Sequence, residues 1–171
     1  MKNFTVTNNY YLDNLYKRNK VFTKELNREN VKNGILMAAD SKALINGTAA
    51  MNSIDYGDEK EDESLETSRF YRNLKAFADA YNYTVDSTSK SEATVPKKML
   101  KKIKKLYSKY QEKLETYGIK FNKDGYMKLD KRAIDKMDKS KYESLFGEDS
   151  EFTSELKGIA EKLLKHIDYS V

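Results

Sequence analysis

Phe70, Leu74, Phe77, Tyr81 and Val85 follow one another at intervals of four, three, four and four residues, which lines them up along one stripe of an α-helix. A stripe of that width cannot face water without exposing a large apolar patch, so the chain must supply partners to cover it. This predicts a core-facing helix over roughly Asp62 to Asp86. Two more stretches repeat the pattern. Leu100, Ile103, Tyr107, Tyr110, Leu114 and Tyr117 mark a helix that starts at Pro96, where the missing N–H of proline is no loss in a first turn, and stops at Gly118. Phe152, Leu156, Ile159, Leu163 and Ile167 mark a last helix, opened by Ser150. With one Pro and seven Gly among 171 residues, little interrupts such helices. The expected fold class is mainly α: an elongated antiparallel helical bundle or coiled coil, a single domain over 1–171.

The remaining segments carry weaker signals. Residues 1–9 are polar and rich in Asn and Thr, and read as a frayed terminus. Leu12, Leu15, Phe22 and Leu26 sit at helical multiples interrupted by Asn19. A helix over Ile35 to Ser53 holds Leu36, Leu44 and Met51, with Ile54 just beyond. There Ala39, Ala43, Gly47 and Ala50 would permit close approach of a neighbour, Gly47 at a cost of about 1 kcal/mol relative to Ala. Tyr56-Gly57 closes that helix and leads into an acidic loop, 55–63. The Ser/Thr-rich stretch 87–95 reads as a second loop. The one strand signal is a small β-hairpin, about 119–129, in which Ile119-Lys120-Phe121 and Tyr126 to Leu129 alternate around Asn122-Lys123-Asp124-Gly125. Asp130 and Ser140 are expected to cap short helices, the second ending at Gly147.

Several chemistries are excluded. The chain has no cysteine, hence no disulfide, thiolate nucleophile or Cys-ligated zinc. His166 is the one histidine, has no second imidazole to complete a metal site, and is expected to meet the carbonyl-rich end of the last helix. Lys120 to Lys131 has the outline of a calcium loop, but two lysines stand where calcium needs a carboxylate and a bidentate Glu. The sequons at Asn46 and Asn82 fall inside expected helices. No apolar run of about 18 residues offers a membrane span, and Met1 to Tyr10 lacks the apolar core of a secretory signal, so any export is expected to use another route. No catalytic, cofactor-binding or metal-binding residue is assigned, and no enzyme activity is expected.

Charge is polarised along the chain. Net charge is +5, yet Asp55, Asp58, Glu59, Glu61, Asp62, Glu63 and Glu66 cluster against Lys60. Residues 97–113 carry eight lysines against Glu112. Lys97, Lys98, Lys101, Lys102, Lys104 and Lys105 form a candidate electrostatic partner surface. If the helices on either side of the second loop run antiparallel, the acidic block falls beside Lys109 and Lys113. A basic end is then left for a partner or for the acidic block of another copy. Nucleic acid is a weaker expectation, because Tyr107 and Tyr110, the rings available for stacking, belong to the apolar stripe and the acidic block repels phosphate.

Taken in order, the Tyr81-Asn82 pair late in a long helix, Gly118-Ile119, Asp124-Gly125, Leu129-Asp130 and Leu145-Phe146-Gly147 resemble the C-terminal helical region of the flagellar filament-cap family, hook-associated protein 2. The resemblance spans Glu66 to Tyr169. It implies a non-enzymatic axial-structure protein, exported through the flagellar channel, that assembles with itself or with other axial proteins at the filament tip and assists flagellin folding. The family's large head domains have no counterpart, so the chain would be a relative reduced to the helical leg. A cytoplasmic protein-interaction module on the same scaffold, regulator or chaperone-like, is the alternative, and nucleic-acid binding through 97–113 the third reading.

Overall fold

The computed structural model describes residues 31–56 and 68–167. The expectations for the frayed terminus, for the Leu12 to Leu26 helix and for residues 57–63 of the acidic loop lie outside them. The chain divides into two compact units, Met1–Lys32 and Asn33–Val171, a division that the expected single domain over 1–171 spans. The described elements belong to the second unit. They are α1 (Asn33–Asn52), α2 (Arg69–Ser89), α3 (Thr94–Thr116), β1 (Ile119–Phe121), β2 (Met127–Leu129), α4 (Lys131–Lys136), α5 (Ser140–Phe146) and α6 (Glu151–Lys165). The fold is a helical bundle with one small antiparallel sheet.

The central element is α2. Phe70, Leu74, Phe77, Tyr81 and Val85 are all buried, as their spacing requires, and Tyr71, Ala78 and Ala80 widen the covered face. The helix starts later than Asp62 because Ser68 caps it, its Oγ accepting the Tyr71 N–H at 3.2 Å. It also runs past Asp86. Ser87 and Ser89 donate their hydroxyls back to the carbonyls of Tyr83 and Asp86 at 3.0 and 2.8 Å, so residues that favour loops are held within the helix. The loop expected over 87–95 shortens to 90–93.

Beside α2 runs α1, in the opposite sense. Asn33 Nδ2 donates to Ser87 O, Thr84 Oγ1 donates to Asp40 O, and Gly47 faces Phe77. The close approach is at Gly47, where an added Cβ would lie 3.4 Å from Phe77 Cα; Ala39 is exposed instead. The buried residues of α1 are Gly34, Met37, Asp40, Ser41, Leu44, Thr48 and Met51; all but Asp40 keep three-four spacing, and more than half are small or polar.

In α3 the buried face is rotated from the expected one. Pro96, Met99, Ile103, Leu106 and Leu114 are buried, whereas Leu100, Tyr107, Tyr110 and Tyr117 are half-buried. Tyrosines prefer the margin of a core, where the ring packs and the hydroxyl finds a polar partner. The hairpin pairs Ile119 with Leu129, Lys120 with Lys128 and Phe121 with Met127. Its turn is built by Asn122, whose Oδ1 accepts the N–H groups of Asp124 and Tyr126 at 3.0 and 2.9 Å, and by Gly125 at φ +90°. Thus the Asn122 oxygen that a calcium loop would use is committed to the backbone.

Asp130 caps α4 by accepting the Ala133 N–H at 3.2 Å. Ser140 is the first residue of α5 rather than its cap, because Asp138 Oδ1 takes both its N–H and its hydroxyl, at 3.0 and 2.8 Å. Ser150 caps α6 as expected. The last helix packs on α1 and α3. Phe146 joins the layers, its ring 5.4 Å from Phe77 and 6.0 Å from Phe152. No described helix is long and apolar enough to cross a membrane.

Candidate interaction surface

Most of the positions that carry the family resemblance meet at one junction. Tyr81, buried on α2, sets its ring edge-on against Phe121 of β1 at 5.6 Å. The next residue, Asn82, clamps β2: its Nδ2 donates to Met127 O at 3.0 Å and its Oδ1 accepts the Met127 N–H at 2.7 Å. One side-chain amide thus satisfies both polar groups that Met127 presents. Gly118 holds φ +77°, and a Cβ there would lie 3.0 Å from side-chain carbons of both Ala133 and Ile134. Its carbonyl accepts the Asp130 N–H at 2.8 Å. Ile119 is fully buried and Leu129 half-buried, while Asp124 and Gly125 make the turn. Leu145, Phe146 and Gly147 lie apart from this junction, closing α5 against the core. Gly147 has no room for a side chain, since a Cβ would come within 2.6 Å of Glu143 O. These positions hold the fold together, and none of them forms an open site.

The lysine surface is different. Lys97, Lys98, Lys101, Lys102, Lys104 and Lys105 are all exposed on the N-terminal half of α3. Lys97 is paired with Glu92 at 2.6 Å, which holds that carboxyl below its ordinary range. The side chains of the other five have no ion-pair or hydrogen-bond partner among the described residues. The aliphatic stem of Lys104 reaches the hairpin turn, its Cε 3.9 Å from where a Gly125 Cβ would stand. Lys97 in the first turn and Lys98 just after it oppose the helix dipole, each at a cost of about 0.3–1 kcal/mol at an exposed position; the effect fades beyond that turn and does not bear on Lys101, Lys102, Lys104 and Lys105.

The C-terminal half of α3 is compensated. Lys109 binds Glu155 at 2.8 Å and Glu151 at 3.4 Å, and lies 5.0 Å over the Tyr110 ring. Tyr110 donates its hydroxyl to Glu151 at 3.1 Å. The hydrogen bond to Glu155 is the main reason the Lys109 ammonium is held above its ordinary range, and those from Tyr110 and Lys109 lower the Glu151 carboxyl. Lys113 donates to Ser144 O at 3.4 Å. The ion-pair partners of Lys109 among the described residues thus come from α6. The sequence reading missed Glu151 and Glu155, whose only local signal is their four-residue spacing on the first turns of a helix; residues 57–66 lie outside the described ones.

On the hairpin, Lys120 and Lys128 face each other as exposed like charges, an arrangement that costs stability. Asp130 relieves it, pairing with Lys120 at 2.8 Å, and that contact is the chief reason the Asp130 carboxyl is held below its usual range. His166 forms the C-terminal cap of α6 and is exposed. Among the described residues no three His, Cys, Asp or Glu side chains are grouped to hold a metal ion. No protein-family model matches the chain, and neither a curated protein nor a solved structure matches it.

Proposed function

We propose that the chain is a non-enzymatic structural or assembly protein, similar to the helical leg of the flagellar filament cap, whose contact surface is the basic N-terminal half of α3. The observation that carries this reading is the set of five exposed lysines, Lys98, Lys101, Lys102, Lys104 and Lys105, with no partner among the described residues. The motif positions support it differently: they are spent on locking the hairpin and α5 to the bundle, which suits a rigid element that presents a surface. A nucleic-acid role is less well supported, because Tyr107 packs on Phe121 at 4.0 Å and Tyr110 on Phe152 at 5.3 Å, so neither offers a free ring to a base.

The test is location. Appendages sheared from the source cells should carry the chain, detected by antibody, in the extracellular axial fraction. Recovery from the cell interior alone would contradict the axial reading and favour the cytoplasmic interaction module.

A further inference from the structure

We propose that the basic face of α3 is the docking surface for the acidic run Asp58 to Glu66 of a second copy of this chain, so that copies associate head to tail. The inference rests on the assembly reading above and names its partner.

The acidic run lies between two anchored residues. Tyr56 is buried, donates its hydroxyl to Met51 O at 2.8 Å and sets its ring 6.1 Å from that of Phe70. Ser68 caps the helix that carries Phe70. Phe70 packs on Tyr142 at 4.7 Å, and Tyr142 on Tyr117 at 5.3 Å. Tyr117 ends α3, so both anchors belong to the end of the bundle where α3 finishes. Fully extended, the twelve Cα steps from Tyr56 to Ser68 span about 43 Å, which carries the middle of the segment at most about 21 Å from its anchors. Along the α3 axis, Lys101 lies sixteen residues before Tyr117, or about 24 Å at the helical rise. A chain's own acidic run therefore reaches Lys113, Lys109, Lys105 and Lys104, the last about 20 Å from Tyr117, within its span, but Lys102, Lys101 and Lys98, at about 22 to 28 Å, only if drawn taut.

The charges match in number and sign. Asp58, Glu59, Glu61, Asp62, Glu63 and Glu66 stand against Lys60 in the run, to set against five lysines with no partner among the described residues. Along α3, Lys101 stands about 24 Å from Tyr117, well beyond the screening length of about 8 Å at physiological salt, so the lysine face is electrostatically independent of the end where the run is anchored. A contact between the basic face of one copy and the acidic run of the next is heterologous, and its repetition gives rings or open chains of copies.

Molar mass by light scattering, at low ionic strength and at about 1 M salt where screening acts beyond about 3 Å, tests this with two neutralised variants. One carries Lys98→Gln, Lys101→Gln, Lys102→Gln and Lys105→Gln; the other carries Asp58→Asn, Glu61→Gln, Asp62→Asn and Glu63→Gln. All these changes are at polar positions, and a melting curve for each checks its folding. The natural chain should exceed its 19.9 kDa monomer mass at low salt, rising with concentration, and return to it at high salt. Each variant alone should stay monomeric, and an equimolar mixture, with one interface intact, should stop at a dimer.

A natural chain that is monomeric at every ionic strength overturns the proposal, as does association that survives the lysine substitutions. Binding of a single-stranded oligonucleotide by an otherwise monomeric chain, lost with the lysines, would reassign the face to nucleic acid. A monomeric chain recovered with sheared appendages removes this docking and leaves the assembly reading in place; self-association of a chain confined to the cell interior does the reverse.

Discussion

Asn82 shows how much a single side chain can decide. Its amide makes two hydrogen bonds to the backbone of Met127, 45 residues away, and thereby fixes the hairpin to α2. Asn82→Ala would leave the Met127 N–H and C=O without these partners, at an expected cost of about 1–3 kcal/mol. Asn82→Asp should not restore the loss, because a carboxylate would face the Met127 carbonyl. Denaturant midpoints of the two variants check this, and a midpoint unchanged in Asn82→Ala would show that the clamp contributes nothing. The opposite case is Thr88, whose buried hydroxyl has no partner among the described residues, like that of Ser41. Thr88→Val keeps the shape and removes an unsatisfied group, so it should raise stability by about 1 kcal/mol, or roughly 2–4 °C in Tm for a domain of this size; a lowered Tm would contradict it. The Tyr81-Asn82 pair was visible in the sequence as a motif. Its partner was not, because no local pattern tells an amide which distant strand it will meet.

At the scale of elements, α2 was legible and α3 only in part. Five residues of the α2 stripe are buried as their spacing indicates, since a wide stripe of large side chains has one stable orientation. Phe77→Ala should therefore cost about 3–5 kcal/mol, measured by equilibrium unfolding. In α3 the tyrosines drew the expected face toward themselves, whereas aliphatic Met99 and Leu106 occupy the core and the rings flank it. Leu106, 4% exposed, should cost about 2–5 kcal/mol on change to Ala, clearly more than half-buried Leu100. Equal losses would restore the face read from the sequence. The edges of α2 were misplaced for a related reason. Ser68, Ser87 and Ser89 act through hydrogen bonds to the helix backbone, and a serine reads alike in sequence whether it caps, extends or leaves a helix. The hairpin was legible because its turn chemistry is local.

For the molecule as a whole, the tyrosines and the lysines make separate predictions. Burial, the largest cause in each case, raises the phenols of Tyr56, Tyr81 and Tyr142 well above their ordinary value. In the unfolded chain they would ionise near pH 10. Above that pH the unfolded state binds fewer protons than the native state, so their contribution to stability, fully present below about pH 10, is lost as pH rises. Tm should fall through that range, and phenolate absorbance should show these three rings ionising only as the chain unfolds; smooth titration of every ring before unfolding would contradict their burial. The charge polarity of α3 was readable from the sequence, but the pairing of Lys109 with α6 was not, because it depends on how distant helices pack. The chain has no cysteine, so engineered thiols report directly on whether the basic face receives the acidic run of another copy. Under oxidising conditions at low salt, a mixture of Lys101→Cys and Asp62→Cys variants should form a mixed disulfide dimer that disappears at high salt. If the mixture gives no mixed dimer while a chain carrying both substitutions closes on itself at high dilution, the run reaches its own helix and the head-to-tail account is wrong.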